Sequence, residues 1–265
     1  ALVTGERDLA VVTGKSVEKG GSEGRGRATG QGAFYVFQAY AAKQFQDAPR
    51  DLRVAVQGFG NAGQEIARLF YAGGYRVVGV SDSQGAVYNQ EGLDIRALIE
   101  HKKLTGSVLS FVGSEPLTQE ELLTYACDVL APSALENQLT GAIAANVQAK
   151  LVLELANGPT TAEGERVLAE RGITVVPDVL ANSGGVTVSY FEWLQNKQNV
   201  HWIEADVLER LENVMTTAAR AVQAMATEKN CTQRDAAFLV AIDRIEGAME
   251  LPPPPSSPTT IEDAD

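Results

Sequence analysis

Three glycines near residue 60 have the spacing with which backbone turns bind phosphate groups. Gly58, Gly60 and Gly63 follow an apolar, β-branched run at 53–57 and precede a run of helical periodicity at 62–72. In such a strand, turn and helix, the first glycine permits a tight turn, the second lets backbone approach a pyrophosphate, and the third allows close packing. The N–H groups at the helix start would face the phosphates. The pattern predicts a dinucleotide-binding turn; the alternative is that the glycines serve only the packing of an α/β domain.

An acidic residue stands where this kind of fold binds a ribose. A second apolar run, at 75–81, predicts the next strand, and Asp82 ends it. A carboxylate about 20 residues beyond the glycines accepts hydrogen bonds from the ribose hydroxyls, and its charge repels a 2′-phosphate. The following Ser83, Gln84 and Gly85 include no lysine or arginine to offset that repulsion. The sequence therefore predicts NAD rather than NADP, with NADP left open if a distant cation folds back to this place.

Apolar runs alternate with helical patterns between about residues 52 and 177. This alternation is typical of a parallel sheet with helices on both faces. Beyond residue 183 the pattern is helical only, and its apolar stripes are most simply core. We expect an α/β fold: a Rossmann-like, doubly wound, mostly parallel sheet with helices on both faces and a C-terminal helical segment. The predicted strands are 53–57, 75–81, 128–131, 151–155 and 173–176, with a loop or hairpin at 83–93; the predicted helices are 32–45, 62–72, 94–101, 117–125, 138–147, 161–170 and three more between 183 and 250.

The loops that follow the predicted strands share small or polar residues. Ligands of open parallel sheets bind beyond the carboxyl ends of the strands. Five loops occupy such positions, and we expect them to form one site together. They are 58–63, 82–84, 131–137, 156–160 and 178–185.

A glycine-rich stretch precedes the first predicted helix. Residues 20–30 carry Arg25 and Arg27 and lead into a helix that Thr29 or a neighbour is expected to cap. The stretch is either a functional loop that brings backbone close to a ligand or a flexible linker. We expect three regions: a lead-in segment with this loop at 1–28, a dinucleotide-binding domain at 29–250 whose last helices occupy about 183–250, and a disordered tail rich in proline and acidic residues at 251–265.

The composition argues against several classes of partner. The 265 residues carry a formal net charge of -12, which disfavours nucleic acid and anionic membranes. Cys127 and Cys231 lie far apart and fit reduced thiols, and with His101 and His201 they form no cluster of metal-ligand spacing. No apolar run approaches the roughly 18 residues that a membrane span needs. The first residues show no secretory signal pattern. We expect a cytoplasmic protein without a metal site.

Taken together, the loops resemble those of one enzyme family. The glycine–arginine stretch is similar to the segment that enters the nucleotide domain of glutamate dehydrogenases. The Ser-Tyr-Phe-Glu-Trp run at 189–193 resembles a helix of the same family, whereas leucine and phenylalanine dehydrogenases share the general plan. The resemblance extends from about residue 10 to 250. The matching segments, in order, are 12–15, 20–25, 28–32, 58–61, 81–83, 131–137, 154–161 and 177–193.

The resemblance implies the reversible oxidative deamination of L-glutamate to 2-oxoglutarate and ammonia, in which the α-hydride passes to the nicotinamide and water hydrolyses the imine. It places Arg25 on the substrate side of the cleft and makes Ser189 the hydroxyl that binds the side-chain carboxylate. On pattern alone, Ser189 would be an ordinary helix residue, and Asn157 and Asn182 would be turn residues; the resemblance lets both asparagines line the nicotinamide pocket. The expected cofactor-binding residues are Thr29, Gly58, Phe59, Gly60, Asn61, Ala62, Gly63, Asp82, Ser83, Asn157 and Asn182.

The family's catalytic lysine and aspartate belong to an N-terminal substrate domain that this sequence does not match. Neither Lys15 nor Lys19 matches the catalytic position. We therefore expect a fragment that binds NAD without oxidising glutamate alone, from an enzyme that is a homo-oligomer, a hexamer in the family. Two alternatives remain. One is a related dehydrogenase for an apolar amino acid, whose pocket has no use for Arg25 and Ser189. The other is a non-catalytic NAD-binding module.

Overall fold

A sheet with helices on both faces organises the molecule. The computed structural model describes residues 8–46 and 48–249, so the predicted tail at 251–265 lies outside the described residues. The strands are Arg53–Gln57 (β1), Arg76–Asp82 (β2), Gly85–Tyr88 (β3), Glu115–Leu117 (β4), Val129–Pro132 (β5), Leu151–Leu153 (β6) and Thr174–Val176 (β7). The α-helices are Ala28–Gln44 (α1), Asn61–Ala72 (α2), Ile95–Thr105 (α3), Gln119–Leu123 (α4), Gly141–Ala144 (α5), Ala162–Glu170 (α6), Asp178–Ala181 (α7), Gly184–Gln198 (α8), Glu204–Lys229 (α9) and Gln233–Met249 (α10).

The strand order is β4-β3-β2-β1-β5-β6-β7. Strand β1 pairs in parallel with β2 and β5, and β5, β6 and β7 continue the parallel part. Strands β3 and β4 add an antiparallel edge, which the predicted hairpin at 83–93 begins. Chain order runs outward from β1 in both directions, as in doubly wound folds. The expected fold class is confirmed.

Residues of one strand alternate between two cores. Val54 and Val56 of β1 belong to the core that includes residues of α1, α2 and α9, whereas Ala55 belongs to the core that includes residues of α4 and α6. All three side chains are fully buried. Because both faces are covered, the strand is apolar throughout rather than at every second position. This explains why β1 is recognisable from sequence.

Helices α1 and α8 cross at glycines. A Cβ on Gly32 would lie 2.8 Å from the Cα of Gly184, and a Cβ on Gly184 would overlap the carbonyl oxygen of Ala28. A larger residue at either place would separate the two helices. The crossing brings the glycine-rich loop before α1 against α8, where Arg25 contacts Ser189 and Gly20 contacts Asn196.

Two local predictions are wrong. The predicted helix at 138–147 is reduced to Gly141–Ala144, because Leu139 donates to Pro159 and accepts from Thr161 and so lies beside another loop. The helix predicted from residue 32, with Thr29 or a neighbour as its cap, begins instead at Ala28, and Arg27 at the N-cap makes no capping hydrogen bond with its side chain. Backbone hydrogen bonds of the preceding turns, from Arg27 to Gly24 and from Ala28 to Arg25, lead directly into this helix. The division of the chain at 28 and 29 stays a prediction.

Candidate functional site

The turn between β1 and α2 combines two glycines enclosed by packing with one that is open. A Cβ on Gly63 would overlap the carbonyl oxygen of Gly58, and a Cβ on Gly58, whose φ is +92°, would lie 2.8 Å from the Cβ of Ala134. Gly60 is the N-cap of α2, and apart from its two chain neighbours no described residue lies within 4 Å of the place of its Cβ. Amide N–H groups in the first turn of a helix lack partners within the helix. Open space in front of them is what a phosphate group requires.

A cavity of about 470 Å³ opens beside this turn, at the carboxyl ends of β1 and β2. A groove of about 460 Å³, lined by Arg50, Tyr71 and Arg76 among others, lies at the amino ends of the same strands. Ligands of open parallel sheets bind at the carboxyl ends, so the first cavity is the candidate site. Its lining residues are Gly58, Phe59, Gly60, Ser81, Asp82, Ser83, Lys102, Gln119, Ser133, Ala134 and Leu135.

Asp82 lies in this cavity with its carboxylate already engaged. It accepts the N–H of Gln84 at 2.9 Å and of Val108 at 2.8 Å, and the ammonium of Lys102 lies 3.2 Å away. Burial acts to raise the pKa of Asp82, but these hydrogen bonds and the Lys102 charge outweigh it and lower the pKa below 3.8. The carboxylate is therefore ionised at neutral pH.

Lys102 is the cation that sequence reasoning did not name. It comes from α3, and its Nζ lies 5.8 Å from the centre of the Phe59 ring. Its charge balances that of Asp82 at the place where the sequence suggested an unopposed carboxylate. The available signal was its place on the helix that follows the Asp82 strand and hairpin, but helical spacing alone does not show that the side chain turns towards the cavity.

Arg25 and Ser189, the two residues expected to face the substrate, contact each other. The Arg25 Nε donates to the Ser189 Oγ at 2.9 Å, although the two residues are 164 positions apart. Thr29 joins them, because a Cβ on Gly185 would lie 2.7 Å from its hydroxyl oxygen and 3.5 Å from Arg25 Nη1. The crossing of α1 and α8 produces this cluster of a guanidinium and two hydroxyls. Such donors suit a carboxylate.

The two asparagines expected at the nicotinamide also form a pair. Asn182 Nδ2 donates to Asn157 Oδ1 at 2.7 Å and to the carbonyl oxygen of Leu155 at 3.2 Å. Asn157 belongs to the loop after β6, and Asn182 is the C-cap of α7. Their contact holds two strand-end loops side by side.

A buried glutamate anchors the lead-in segment. Glu192 of α8 is fully buried; it accepts the N–H of Gly14 at 3.0 Å and that of Lys15 at 3.3 Å, and its Oε1 lies 2.6 Å from Lys15 Nζ. Burial acts to raise the pKa of Glu192, yet the hydrogen bonds from Lys15 and Gly14 lower it. Sequence reasoning missed this residue, since its partners lie far away in the chain.

The cavity residues and Asn157 lie at the same end of the sheet. The turn at 58–63 follows β1, Asp82 ends β2 and Ser83 comes directly after it, residues 133–135 follow β5, and Asn157 follows β6. Since these strands are parallel, their carboxyl ends share an edge. Asn61 and Ala62 form the first turn of α2 there. The structure thus brings the cavity group together and joins Arg25 to Ser189 and Asn157 to Asn182; their ligand roles stay predictions.

Within residues 8–46 and 48–249, no three histidine, cysteine or acidic side chains are grouped so that they could hold a metal ion. The described helices include none whose length and apolar character would let it cross a membrane.

Comparison with known proteins identifies similar sequences. The family model of glutamate/leucine/phenylalanine/valine dehydrogenases matches residues 20–252. The NADP-specific glutamate dehydrogenase of Synechocystis sp. is 45% identical over 250 residues, which cover 91% of this chain and 58% of that protein. The NAD-specific glutamate dehydrogenase of Peptoniphilus asaccharolyticus is 44% identical over 255 residues, which cover 94% of this chain and 60% of that protein. This chain thus spans about 58–60% of the length of these two relatives.

A solved structure shows the same architecture. The hetero-hexameric glutamate dehydrogenase of Thermus thermophilus, in its leucine-bound form, superposes with a TM-score of 0.84 at 37% identity. The match covers 91% of this chain and 56% of that one. Relatives of nearly equal identity differ in cofactor, one NAD-specific and one NADP-specific.

Proposed function

This chain belongs to the glutamate/leucine/phenylalanine/valine dehydrogenase family, and we propose that it is the dinucleotide-binding part of an NAD-linked glutamate dehydrogenase. The observation that carries the proposal is the contact of Arg25 with Ser189, which belongs to α8 beyond the carboxyl end of β7. Because the Arg25 Nε already donates to the Ser189 Oγ, the other guanidinium N–H groups and the serine hydroxyl proton are the donors left for a ligand, and an apolar side chain would offer them no acceptor. They suit the side-chain carboxylate of glutamate or 2-oxoglutarate. A dehydrogenase for an apolar amino acid is therefore disfavoured.

The residues of this chain divide the work of binding. The open space at Gly60 and the first turn of α2, with Asn61 and Ala62, would receive the pyrophosphate. Asp82 and Ser83 would face the adenosine ribose beside Phe59. When bound, the nicotinamide accepts the α-hydride of the amino acid.

Two polar pairs would orient the reacting end. Asn157 and Asn182 would hold the nicotinamide carboxamide, for which amide groups are matched donors and acceptors. Arg25 and Ser189 would bind the substrate's side-chain carboxylate, with Thr29 on the cofactor side of the same cluster. These groups would orient the two ligands and neutralise the substrate's charge, and none of them would transfer a proton.

For turnover we propose that the whole protein is needed. Lys15 belongs to the segment at 12–15 that resembles the family. Its ammonium donates to Glu192 and to the carbonyl oxygen of Val12, so it is not free to act as a base. We expect the 265-residue chain to bind the dinucleotide and not to oxidise glutamate alone. We also propose a cytoplasmic homo-oligomer. The free thiols of Cys127 and Cys231 suit a reducing compartment, and the hetero-hexameric T. thermophilus relative supports an oligomer in general.

For the cofactor we propose NAD first, with NADP tolerated. The Asp82 carboxylate keeps its negative charge and would meet a 2′-phosphate unfavourably. Lys102, at 3.2 Å from it, offsets that charge and could contact a phosphate directly. Lys102 therefore reduces the preference for NAD over NADP that Asp82 alone would produce.

A substrate screen of the complete enzyme tests the proposal. We expect NAD reduction with L-glutamate and at most weak activity with L-leucine or L-phenylalanine. A preference for leucine would support the related amino-acid dehydrogenase. Dinucleotide binding with no turnover of any amino acid by the complete protein would support the non-catalytic module.

A further inference from the structure

Arg234, near the start of α10, connects this helix to the sheet through three carboxylates. Its guanidinium donates to Glu154 Oε2 at 2.6 Å, to Glu165 Oε2 at 2.7 Å and to Asp178 Oδ1 at 2.7 Å. Glu154 follows β6, Glu165 lies on α6 and Asp178 begins α7. Glu154 is fully buried and only 21% of the Arg234 side chain is exposed. The three contacts use Nε, Nη1 and Nη2 of one guanidinium, a planar spread of donors that a lysine ammonium does not reproduce.

The same carboxylates hold the loop that follows β6. Asp178 Oδ2 accepts the N–H of Gly158 at 2.8 Å, and Glu154 Oε2 accepts the N–H of Asp178 at 2.8 Å. Gly158, with φ at +53°, directly follows Asn157, whose side chain pairs with Asn182. The path from the guanidinium to the peptide that joins Asn157 and Gly158 therefore has one residue, Asp178, and two hydrogen bonds, one on each oxygen of its carboxylate.

The charges make this path sensitive to Arg234. Burial raises the pKa of Glu154, and Arg234 acts in the opposite direction. For Asp178, burial is outweighed by hydrogen bonds from Gly158 and Arg234, which lower its pKa. Without the guanidinium, three neighbouring carboxylates would repel one another in a largely buried space. Asp178 would then move or change its partners, and the support of Gly158 would change with it.

We propose that Arg234 is a positioning residue for the nicotinamide half of the site, acting through Asp178 on the loop at 156–158. The proposal rests on the proposed function, in which Asn157 lines the nicotinamide pocket. The adenosine half is separate, because the described contacts of Arg234 include no residue that lines the cavity of Gly60, Asp82 and Lys102.

Binding of two related ligands to the purified chain tests this separation. NADH carries the nicotinamide, whereas ADP-ribose carries only the adenosine, pyrophosphate and second ribose. For Arg234→Lys, which keeps the charge but loses the fork, we expect NADH affinity to fall by roughly tenfold. ADP-ribose affinity should stay within about twofold of the parent chain. The fluorescence of bound NADH, which reports the surroundings of the nicotinamide, should also change.

Matched variants distinguish positioning from general damage. Arg166→Lys alters an exposed arginine of α6 that pairs with Glu170, and both affinities should stay at parent values. Asp178→Ala removes the acceptor of the Gly158 N–H and should reproduce the selective loss even if Arg234→Lys fails to fold. Equal losses for NADH and ADP-ribose, or no loss for either, would overturn the proposal. A parent chain that binds neither ligand would instead contradict the proposed function.

Discussion

The substitution Gly60→Val tests whether the open space at Gly60 serves a ligand rather than the packing of the fold. Apart from its two chain neighbours, no described residue lies within 4 Å of the Gly60 Cβ position, and the Gly60 backbone is extended, with φ -82° and ψ -164°. Valine adopts this conformation readily. The new side chain would occupy the place that we assign to the pyrophosphate. We expect a folded chain that no longer binds dinucleotide.

The expected effect on stability is small because two terms oppose each other. Losing glycine at an N-cap costs about 1 kcal/mol, and restricting the unfolded chain contributes about 0.4–1 kcal/mol in the other direction. By contrast, ligand at 100 times its Kd stabilises the parent by about 2.7 kcal/mol. At roughly 2–4 °C per kcal/mol for a domain of this size, that is about 5–11 °C in Tm.

Thermal unfolding with and without NAD measures both quantities. Parent and Gly60→Val should unfold within a few degrees of each other without ligand, and only the parent should gain about 5–11 °C with NAD. Gly247→Val, at another glycine with open space but on α10, should keep the full gain. Gly63→Ala should lower Tm even without ligand, because its Cβ would overlap the Gly58 carbonyl oxygen. An undiminished NAD-induced shift in Gly60→Val would refute the assignment of the phosphate site.

Three further changes test other parts of the site. In the complete enzyme, Ser189→Ala should raise the KM for glutamate by an amount equivalent to about 1–3 kcal/mol and reduce its advantage over norvaline; steady-state kinetics with unchanged values would count against the carboxylate assignment. Lys102→Ala should weaken the binding of NADP by roughly tenfold and that of NAD by much less, since it leaves the Asp82 charge unopposed. Equal losses of affinity for NAD and NADP, in calorimetric titrations at matched ionic strength, would contradict this role of Lys102. The pKa of Glu192 is lowered in the folded chain, so the stabilisation by its carboxylate is present above pH 4.5, its ordinary pKa, and is lost as the pH falls below that value. Glu192→Gln should lower the free energy of unfolding by about 1.5–3 kcal/mol at pH 7 and flatten the decline of Tm on acidification. Parallel curves of Tm against pH for the parent and the variant would contradict this role of Glu192.

Elements stabilised by local patterns were predictable from the sequence. Strand β1 is apolar because both its faces are covered, and the glycines that end it have steric requirements of their own. The prediction of a helix at 138–147 was wrong for the opposite reason, because the structure there depends on partners that are not local. Leu139 directs its backbone hydrogen bonds to residues 159 and 161, and no local periodicity reports a partner that distant in the chain.

The candidate site also has a part that could be predicted from the sequence and a part that could not. The strand-end loops at Gly58, Asp82 and Asn157 could be placed at one edge from their order alone, because parallel strands share an edge. The positions of the charged side chains that complete the site could not be predicted in this way. Lys102 reaches Asp82 and Arg234 reaches Asp178 through tertiary packing. Helix periodicity predicts which face is buried, and it does not predict which carboxylate a cation of the helix will contact.

A crystal structure of this chain with NAD is the most direct test of the carboxyl edge as the dinucleotide site. The pyrophosphate should lie over Gly60 at the first turn of α2, with the adenosine ribose beside Asp82 and Ser83 in the cavity of about 470 Å³. A dinucleotide bound instead in the groove of Arg50 and Arg76, at the amino ends of the strands, would contradict the assignment.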